Sequence, residues 1–266
     1  MCSVRTTTKK DRILVGDSVD IIPNDYDKGK YIITNVNKRK NSVPRPPVAN
    51  IDKLLIVIAS RPEPDLFLVD KLIVYCYLKS IEPVIVINKS DIATNDFIED
   101  ICKQYYFLKT FVISSHSGQG VQQLKEYISN SISSVCGQSA VGKSSLLNVI
   151  IPNINLETQG LSRKIDRGKH TTRVNELFVD GEIMLVDTTG FSSLSLDIDY
   201  DELASFYPEF DDYMGVCRYL DCSHVKEGKD CAIVNAVADG KINSKRYDRY
   251  KYLYNQLFEK WEKKYD

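Results

Sequence analysis

No apolar run in this 266-residue chain approaches the ~18 residues that a bilayer crossing needs. The opening stretch, MCSVRTTTKKDR, lacks the apolar core of a secretory signal. No segment repeats. A membrane protein, an exported protein and a repeat solenoid are thereby set aside, and a cytoplasmic location is expected. Seven cysteines are an odd number, and four of them lie outside any tight cluster, which argues against a disulfide framework and for a reduced setting with a metal site. Net charge is also nearly absent, at −1, but it is unevenly placed. Residues 1–50 carry ten Lys/Arg against five acids and residues 241–266 carry eight against four, leaving an acidic middle between two basic ends. Basic ends could grip a polyanion such as RNA, or could be ordinary solvated surface.

What is present is enough for a buried core: 43% hydrophobic and 27% charged residues. Residues 11–37 read as short strands separated by turns, a small antiparallel barrel or sheet in which only about three strands are visible. Residues 38–47 (KRKNSVPRPP) are basic and proline-rich, as a linker is. The pattern then changes. KLLIVIA (53–59) and PVIVI (83–87) are continuous apolar runs of the kind that fully buried parallel strands show, with a helical pattern over 65–79 between them. Helices are predicted at 97–106, 121–129 and 143–150, strands at 110–114 and 132–136, and a hairpin at 176–186 around Asp180-Gly181. After residue 200 the strand–helix rhythm stops. A Cys/His cluster occupies 217–231, and Tyr247, Tyr250, Tyr254, Leu257, Phe258 and Trp261 form a helical stripe, better read as a packing face than as a base-stacking platform.

The chemistry is carried by five short motifs. Residues 137–144 (GQSAVGKS) match GxxxxGK[ST] at every fixed position, between a strand and a helix. Such a loop wraps phosphates with backbone N–H groups at a helix N-terminus. Gly137, Gln138, Ser139, Ala140, Val141, Gly142 and Ser145 supply that wrap here, Lys143 pairs with the β- and γ-phosphates, and Ser144 offers its hydroxyl to Mg²⁺. A phosphate loop does not choose a base. Asn88-Lys89-Ser90-Asp91 does, because guanine presents two donors that the Asp91 carboxylate can accept, whereas adenine would leave that charge unpaired. Asn88 can tie this loop to its neighbours, Lys89 can lay its stem along the base, and Ser114-Ser115 can offer a backbone N–H to the guanine oxygen. Asp187-x-x-Gly190 fits a Mg²⁺-water holder and a γ-phosphate sensor; Thr171 or Thr172 fits the second Mg²⁺ ligand, with Thr172 taken as the ligand. A Ras-like glutamine after Gly190 is missing, because Phe191 stands there. His170, in a polar loop beside the threonine pair, is the candidate to position the attacking water.

In an ordinary small GTPase the phosphate loop comes first and the guanine-reading loop near the end. Here that order is reversed, which is a circular permutation, and whatever follows the switch at 187–190 becomes a new C-terminal segment. That segment carries Cys217, Cys222, His224 and Cys231, three thiolates and an imidazole suited to one structural Zn²⁺ with no open position.

Together VPRPPVANID (43–52), INKSD (87–91), GQSAVGKSSLLN (137–148), RGKHTTR (167–173), DTTGFSSL (187–194) and the Cys/His cluster resemble the ribosome small-subunit-dependent GTPase A family, called RsgA, YjeQ or YloQ. The resemblance implies an α/β fold: a circularly permuted P-loop GTPase domain (48–200), an N-terminal OB-like β domain (1–47) and a C-terminal zinc-binding helical domain (201–266). It also implies GTP hydrolysis in late maturation of the small ribosomal subunit, stimulated by that subunit, by a monomer that contacts rRNA. The family's switch-loop histidine matches His170, and its zinc ligands match Cys217, Cys222, His224 and Cys231. Three departures stand out. The family carries a longer N-terminus with the first barrel strands, so the barrel here is expected to be incomplete or rebuilt. Ala140 replaces a usual glycine, and Thr189 a usual proline. The competing expectations are an RNA-binding assembly factor that uses GTP only as a conformational ligand, and a GTPase that serves another RNA such as tRNA.

Overall fold

A computed structural model describes residues 2–4, 12–26, 29–44, 47–152, 176–187, 194–226 and 230–265. Its centre is a six-stranded sheet. Strands β6 (Lys53–Ala59), β7 (Glu82–Asn88), β8 (Lys109–Val112), β9 (Ile132–Cys136), β10 (Glu176–Asp180) and β11 (Ile183–Asp187) lie in the order β10-β11-β9-β6-β7-β8. All pairings are parallel except the β10–β11 hairpin. Side chains alternate across the sheet with period two. Leu54, Ile56 and Ile58 therefore enter one core, and Leu55, Val57 and Ala59 the other. Both faces are covered, which is why KLLIVIA carries no polar alternation.

Helices α1 (Leu66–Leu78) and α2 (Asn95–Gln104) cover the first face; α3 (Val121–Ile128) and α4 (Lys143–Ile150) cover the second. The ends of α1 and α2 follow local chemistry. The Asp65 carboxylate accepts from the Leu68 N–H at the start of α1, and the Thr94 hydroxyl does the same for Phe97 at the start of α2. From β6 the chain lays β7 and β8 to one side and then turns to β9 and β11 on the other. The crevice between β6 and β9, at the carboxyl ends of the strands, is thus a topological switch point, where open α/β sheets take ligands.

The N-terminal strands are β1 (Cys2–Val4), β2 (Val19–Pro23) and β3 (Tyr31–Val36), ordered β1-β3-β2. About three strands were expected within residues 11–37; among the described residues that stretch holds two, β2 and β3, and the third strand of the sheet, β1, lies before it and runs parallel to β3. The proline-rich stretch read as a linker instead contributes β4 (Ser42–Pro44), which pairs antiparallel with β5 (Pro47–Ala49). Val43 and Val48 are fully buried against the first core, and the Asn41 carboxamide brackets Ile51 through both its N–H and its carbonyl. Proline blocks the centre of a sheet but not the ends of a two-strand ribbon.

The C-terminal region packs on the α1 side through two 3₁₀ turns (Leu203–Phe206 and Pro208–Tyr213), α5 (Ala232–Ala238) and the long α6 (Ser244–Tyr265). The aromatic stripe is a packing face: Tyr247, Tyr250, Tyr254 and Leu257 are buried. Beside it lies a buried charge cluster. Arg246, 1% exposed, pairs with Asp70 of α1 at 2.6 Å and with Glu209; Arg249 reaches Asp70 at 2.5 Å and Gln104 at 2.9 Å. The Tyr105 hydroxyl donates to Asp70 at 2.7 Å, and the Arg246 guanidinium lies over the rings of Tyr207 and Phe107 at 4.7 and 4.8 Å. Burial disfavours the Arg246 cation; the carboxylates of Asp70 and Glu209 outweigh it and raise its pKa further above the usual arginine value. Among the described residues no helix is long and apolar enough to cross a membrane.

Arg246→Ala would leave the buried Glu209 carboxylate without its cation and Asp70 with Arg249 alone. We expect a loss of about 3–5 kcal/mol, read as a lower urea midpoint at unchanged slope. A loss no larger than the ~1 kcal/mol of an exposed pair would show that the cluster does not anchor α6.

Candidate guanine-nucleotide site and metal centre

The motifs converge where the fold places the crevice. β6 and β7 run in register from Lys53↔Glu82 to Ala59↔Asn88, and β9 and β11 bring Val135 opposite Asp187. Asn88, Gly137 and Asp187 thus stand together at the carboxyl ends of neighbouring strands. The phosphate loop leaves β9 at Gly137, whose φ is +137°, and a Cβ there would lie 2.2 Å from the Val57 carbonyl oxygen. Only glycine lets the loop pass β6 that closely. At the far end Gly142 (φ +95°) begins α4 with no side-chain cap, so nothing competes with an anion for its first-turn N–H groups.

Asn88 is the hub. It is 1% exposed, and every hydrogen bond its side chain makes joins two other motifs. Its Nδ2 donates to the Val141 carbonyl at 3.0 Å and to the Gly142 carbonyl at 3.4 Å. Its Oδ1 accepts from the Ser115 N–H at 3.0 Å and from the Ser115 hydroxyl at 2.9 Å. The Ser114-Ser115 pair was expected to offer a backbone N–H to the guanine oxygen; in this arrangement the Ser115 N–H is engaged with Asn88 and the Ser114 N–H with the Gln119 carbonyl. Lys89, at φ +58°, stretches across the loop and donates to the Ala140 and Arg61 carbonyls at 2.7 and 3.0 Å. Asp91 is exposed and accepts from the Ser114 hydroxyl at 2.6 Å. That bond is the main reason its carboxyl lies below the usual range, so it is ionised and ready to accept.

Lys143 curls back over its own loop, donating to the carbonyls of Gly137 and Gln138 at 2.8 and 2.6 Å. Burial lowers its pKa, while Cys136 and Asp187 act in the opposite direction. Asp187 therefore lies within electrostatic reach of Lys143 at the start of α4, and its carboxylate and the Ser144 hydroxyl are the oxygen donors that Mg²⁺ takes. Ser139 and Ala140 are exposed at the mouth of the loop; Ala140 has φ +64°, a left-handed conformation that glycine takes without strain. Ser145 lies in the first turn of α4. His170, Thr171, Thr172 and Gly190 lie outside the described residues.

Two contributors escaped the sequence. The Gln138 side-chain carbonyl accepts from the Asp65 N–H at 3.1 Å, fastening the phosphate loop to the start of α1, and the Arg61 carbonyl receives Lys89. Both involve backbone atoms of a loop, for which side-chain identity gives no signal.

The four expected metal ligands also converge. The ligand atoms of Cys217, Cys222, His224 and Cys231 all lie within 4.8 Å of one another. Cys217 Sγ is 3.8 Å from Cys231 Sγ and 3.5 Å from His224 Nδ1; Cys231 Sγ is 3.6 Å from the same nitrogen. A tetrahedral Zn²⁺ with bonds of about 2.3 Å to sulfur and about 2.0 Å to nitrogen has S···S edges of ~3.8 Å and S···N edges of ~3.5 Å. The residues therefore fit a tetrahedral metal. Burial lowers the His224 imidazole and pushes the Cys231 thiol up to about 12, so an ion's own charge would be needed to draw the thiolate out. The loop that carries His224 (φ +60°) is held by α6: the Tyr247 and Tyr250 hydroxyls donate to the His224 and Ser223 carbonyls, each at 2.8 Å.

A family model described as RsgA GTPase matches residues 36–197. The "Small ribosomal subunit biogenesis GTPase RsgA" of Caldanaerobacter subterraneus subsp. tengcongensis is 40% identical over 99% of this chain and 90% of its own length. The protein of the same name from Moorella thermoacetica is 41% identical over 89% of this chain and 82% of its own. Among solved structures, YjeQ from Thermotoga maritima superposes with a TM-score of 0.83 at 33% identity, covering 97% of this chain and 89% of that one. YloQ, titled a circularly permuted GTPase, superposes at 0.79 with 28% identity over 97% and 86%. With the guanine-reading loop, the permuted sheet and the metal-binding tetrad already in place, these matches make the chain a member of the RsgA GTPase family.

Proposed function

We propose that this chain hydrolyses GTP to GDP and phosphate and acts in maturation of the small ribosomal subunit, which stimulates its turnover. The single observation that carries the reading is the buried Asn88 side chain, which ties the guanine-reading segments to the phosphate loop at the carboxyl edge of the sheet. The curated relatives' names support the choice of subunit. Asp91 accepts from the two donors of guanine. Backbone N–H groups from Gln138 to Ser145 wrap the phosphates, and Lys143 exchanges its two loop carbonyls for phosphate oxygens. Ser144 and Thr172 would hold Mg²⁺, with Thr171 the other candidate for the threonine ligand, and Asp187 would hold it through water. When bound, the ion would supply charge neutralisation between the β- and γ-phosphates. The Gly190 N–H meets the γ-phosphate, and His170 orients the attacking water that Phe191 cannot. Zn²⁺ in the Cys217, Cys222, His224, Cys231 cluster is structural, because four protein ligands leave no open position. The basic ends contact rRNA, and the protein works as a cytoplasmic monomer.

GTP turnover measured alone, with small subunits, with large subunits and with tRNA separates this reading from its rivals. Stimulation by small subunits only is expected. Stimulation by tRNA instead would redirect the substrate, and no turnover under any condition would make the chain an assembly factor that uses GTP as a conformational ligand.

His170→Ala should slow hydrolysis by roughly 10²-fold or more while GTP affinity stays unchanged. Equal turnover in the variant would remove His170 from the mechanism.

A further inference from the structure

One short stretch of α6 holds both the metal loop and the nucleotide-binding core. Arg246 and Arg249 enter the charge cluster around Asp70 of α1. Beside them, Tyr247 and Tyr250 donate to two consecutive carbonyls, those of His224 and Ser223, each at 2.8 Å. Both tyrosines are buried, at 6% and 1% exposure. These two contacts grip the two residues that follow the ligand Cys222, and the second of these is itself a ligand.

This grip has something to hold. His224 sits at φ +60°, a left-handed conformation that is unfavourable for a non-glycine residue. A phenol buried in a packed aromatic row would otherwise need another acceptor. Tyr250 is fixed from its far side by Phe210 and Tyr207, with ring centroids at 4.9 and 5.0 Å, so its hydroxyl cannot follow a loop that relaxes.

We propose that Tyr247 and Tyr250 are positioning residues for the metal: their hydroxyls hold the Cys222–His224 loop in its ligating conformation, so that metal occupancy and the docking of α6 on α1 form one linked equilibrium. The inference rests on the metal reading above and goes beyond it by naming what sets the site's affinity and what the bound metal stabilises. Outer groups of this kind carry a tenfold to hundredfold share of metal affinity in other sites. Linkage is reciprocal, so whatever loosens the loop from α6 weakens both the metal and the dock.

The test is Zn²⁺ affinity, measured by competition with a chromophoric chelator on the full chain and on Tyr247→Phe, Tyr250→Phe and the double variant. Tyr252→Phe is the control, because Tyr252 is exposed and its ring meets Phe67 rather than the metal loop. Each of the first two should bind Zn²⁺ about tenfold more weakly and the double variant up to about a hundredfold. The control should match the unsubstituted chain. The shift in urea midpoint that saturating Zn²⁺ produces should shrink in the double variant. Far-ultraviolet circular dichroism keeps misfolding distinct from a local loss. If the unsubstituted chain binds Zn²⁺ tightly and the double variant binds it equally well, this inference is overturned alone. If the unsubstituted chain binds no Zn²⁺, the metal reading falls and takes the inference with it.

Discussion

One buried carboxamide holds the nucleotide site together. Asn88 lies at the end of β7, but its acceptor and donor atoms serve two segments further along the chain, Ser115 at 27 residues and Val141 and Gly142 at 53 and 54 residues. A buried amide that satisfies all its partners fixes geometry strongly, because each alternative leaves a polar atom unpaired. The guanine-reading loop and the phosphate loop are thereby set at a constant separation whichever of them the chain makes first. This is how a permuted order of motifs can serve the same chemistry. The constraint is spatial, and the sheet supplies it by ending β6, β7, β9 and β11 along one edge.

The same logic extends to the C-terminal region. Among its described residues it has no strand, and its elements other than α6 are short, so it depends on contacts other than a large core of its own. α6 supplies them in two forms: a buried ionic cluster with Asp70 and Glu209, and tyrosine hydroxyls on the metal loop. Gln138 touches the backbone of Asp65, and Asp70 lies little more than one turn further along α1. The phosphate loop and the metal loop are therefore joined by a short chain of direct contacts.

Much of this was legible in the sequence because each signal had a local physical cause. KLLIVIA and PVIVI announced doubly covered strands, the GxxxxGK[ST] spacing announced a phosphate loop, and three thiols with an imidazole announced a tetrahedral metal. The aromatic stripe of α6 was read as packing from its spacing, and it packs. What escaped was non-local. KRKNSVPRPP looked like a linker because proline and charge dominate it, yet Val43 is buried by partners that only the folded chain provides. Strand β1 is three residues long and pairs in parallel with β3, too short a run to carry a pattern. The engagement of the Ser115 N–H with Asn88, and of the Tyr247 and Tyr250 hydroxyls with the metal loop, depends on which atoms meet, and composition does not encode that.

The account stands or falls on Asp91, Lys143 and the loop from Gly137 forming one guanine-specific site. Titration calorimetry of the full chain with GTP and with ATP, both with Mg²⁺, addresses this most directly. Saturable one-to-one binding of GTP with no measurable heat from ATP at the same concentrations is the predicted result. Equal affinity for the two nucleotides, or indifference to both, would contradict it.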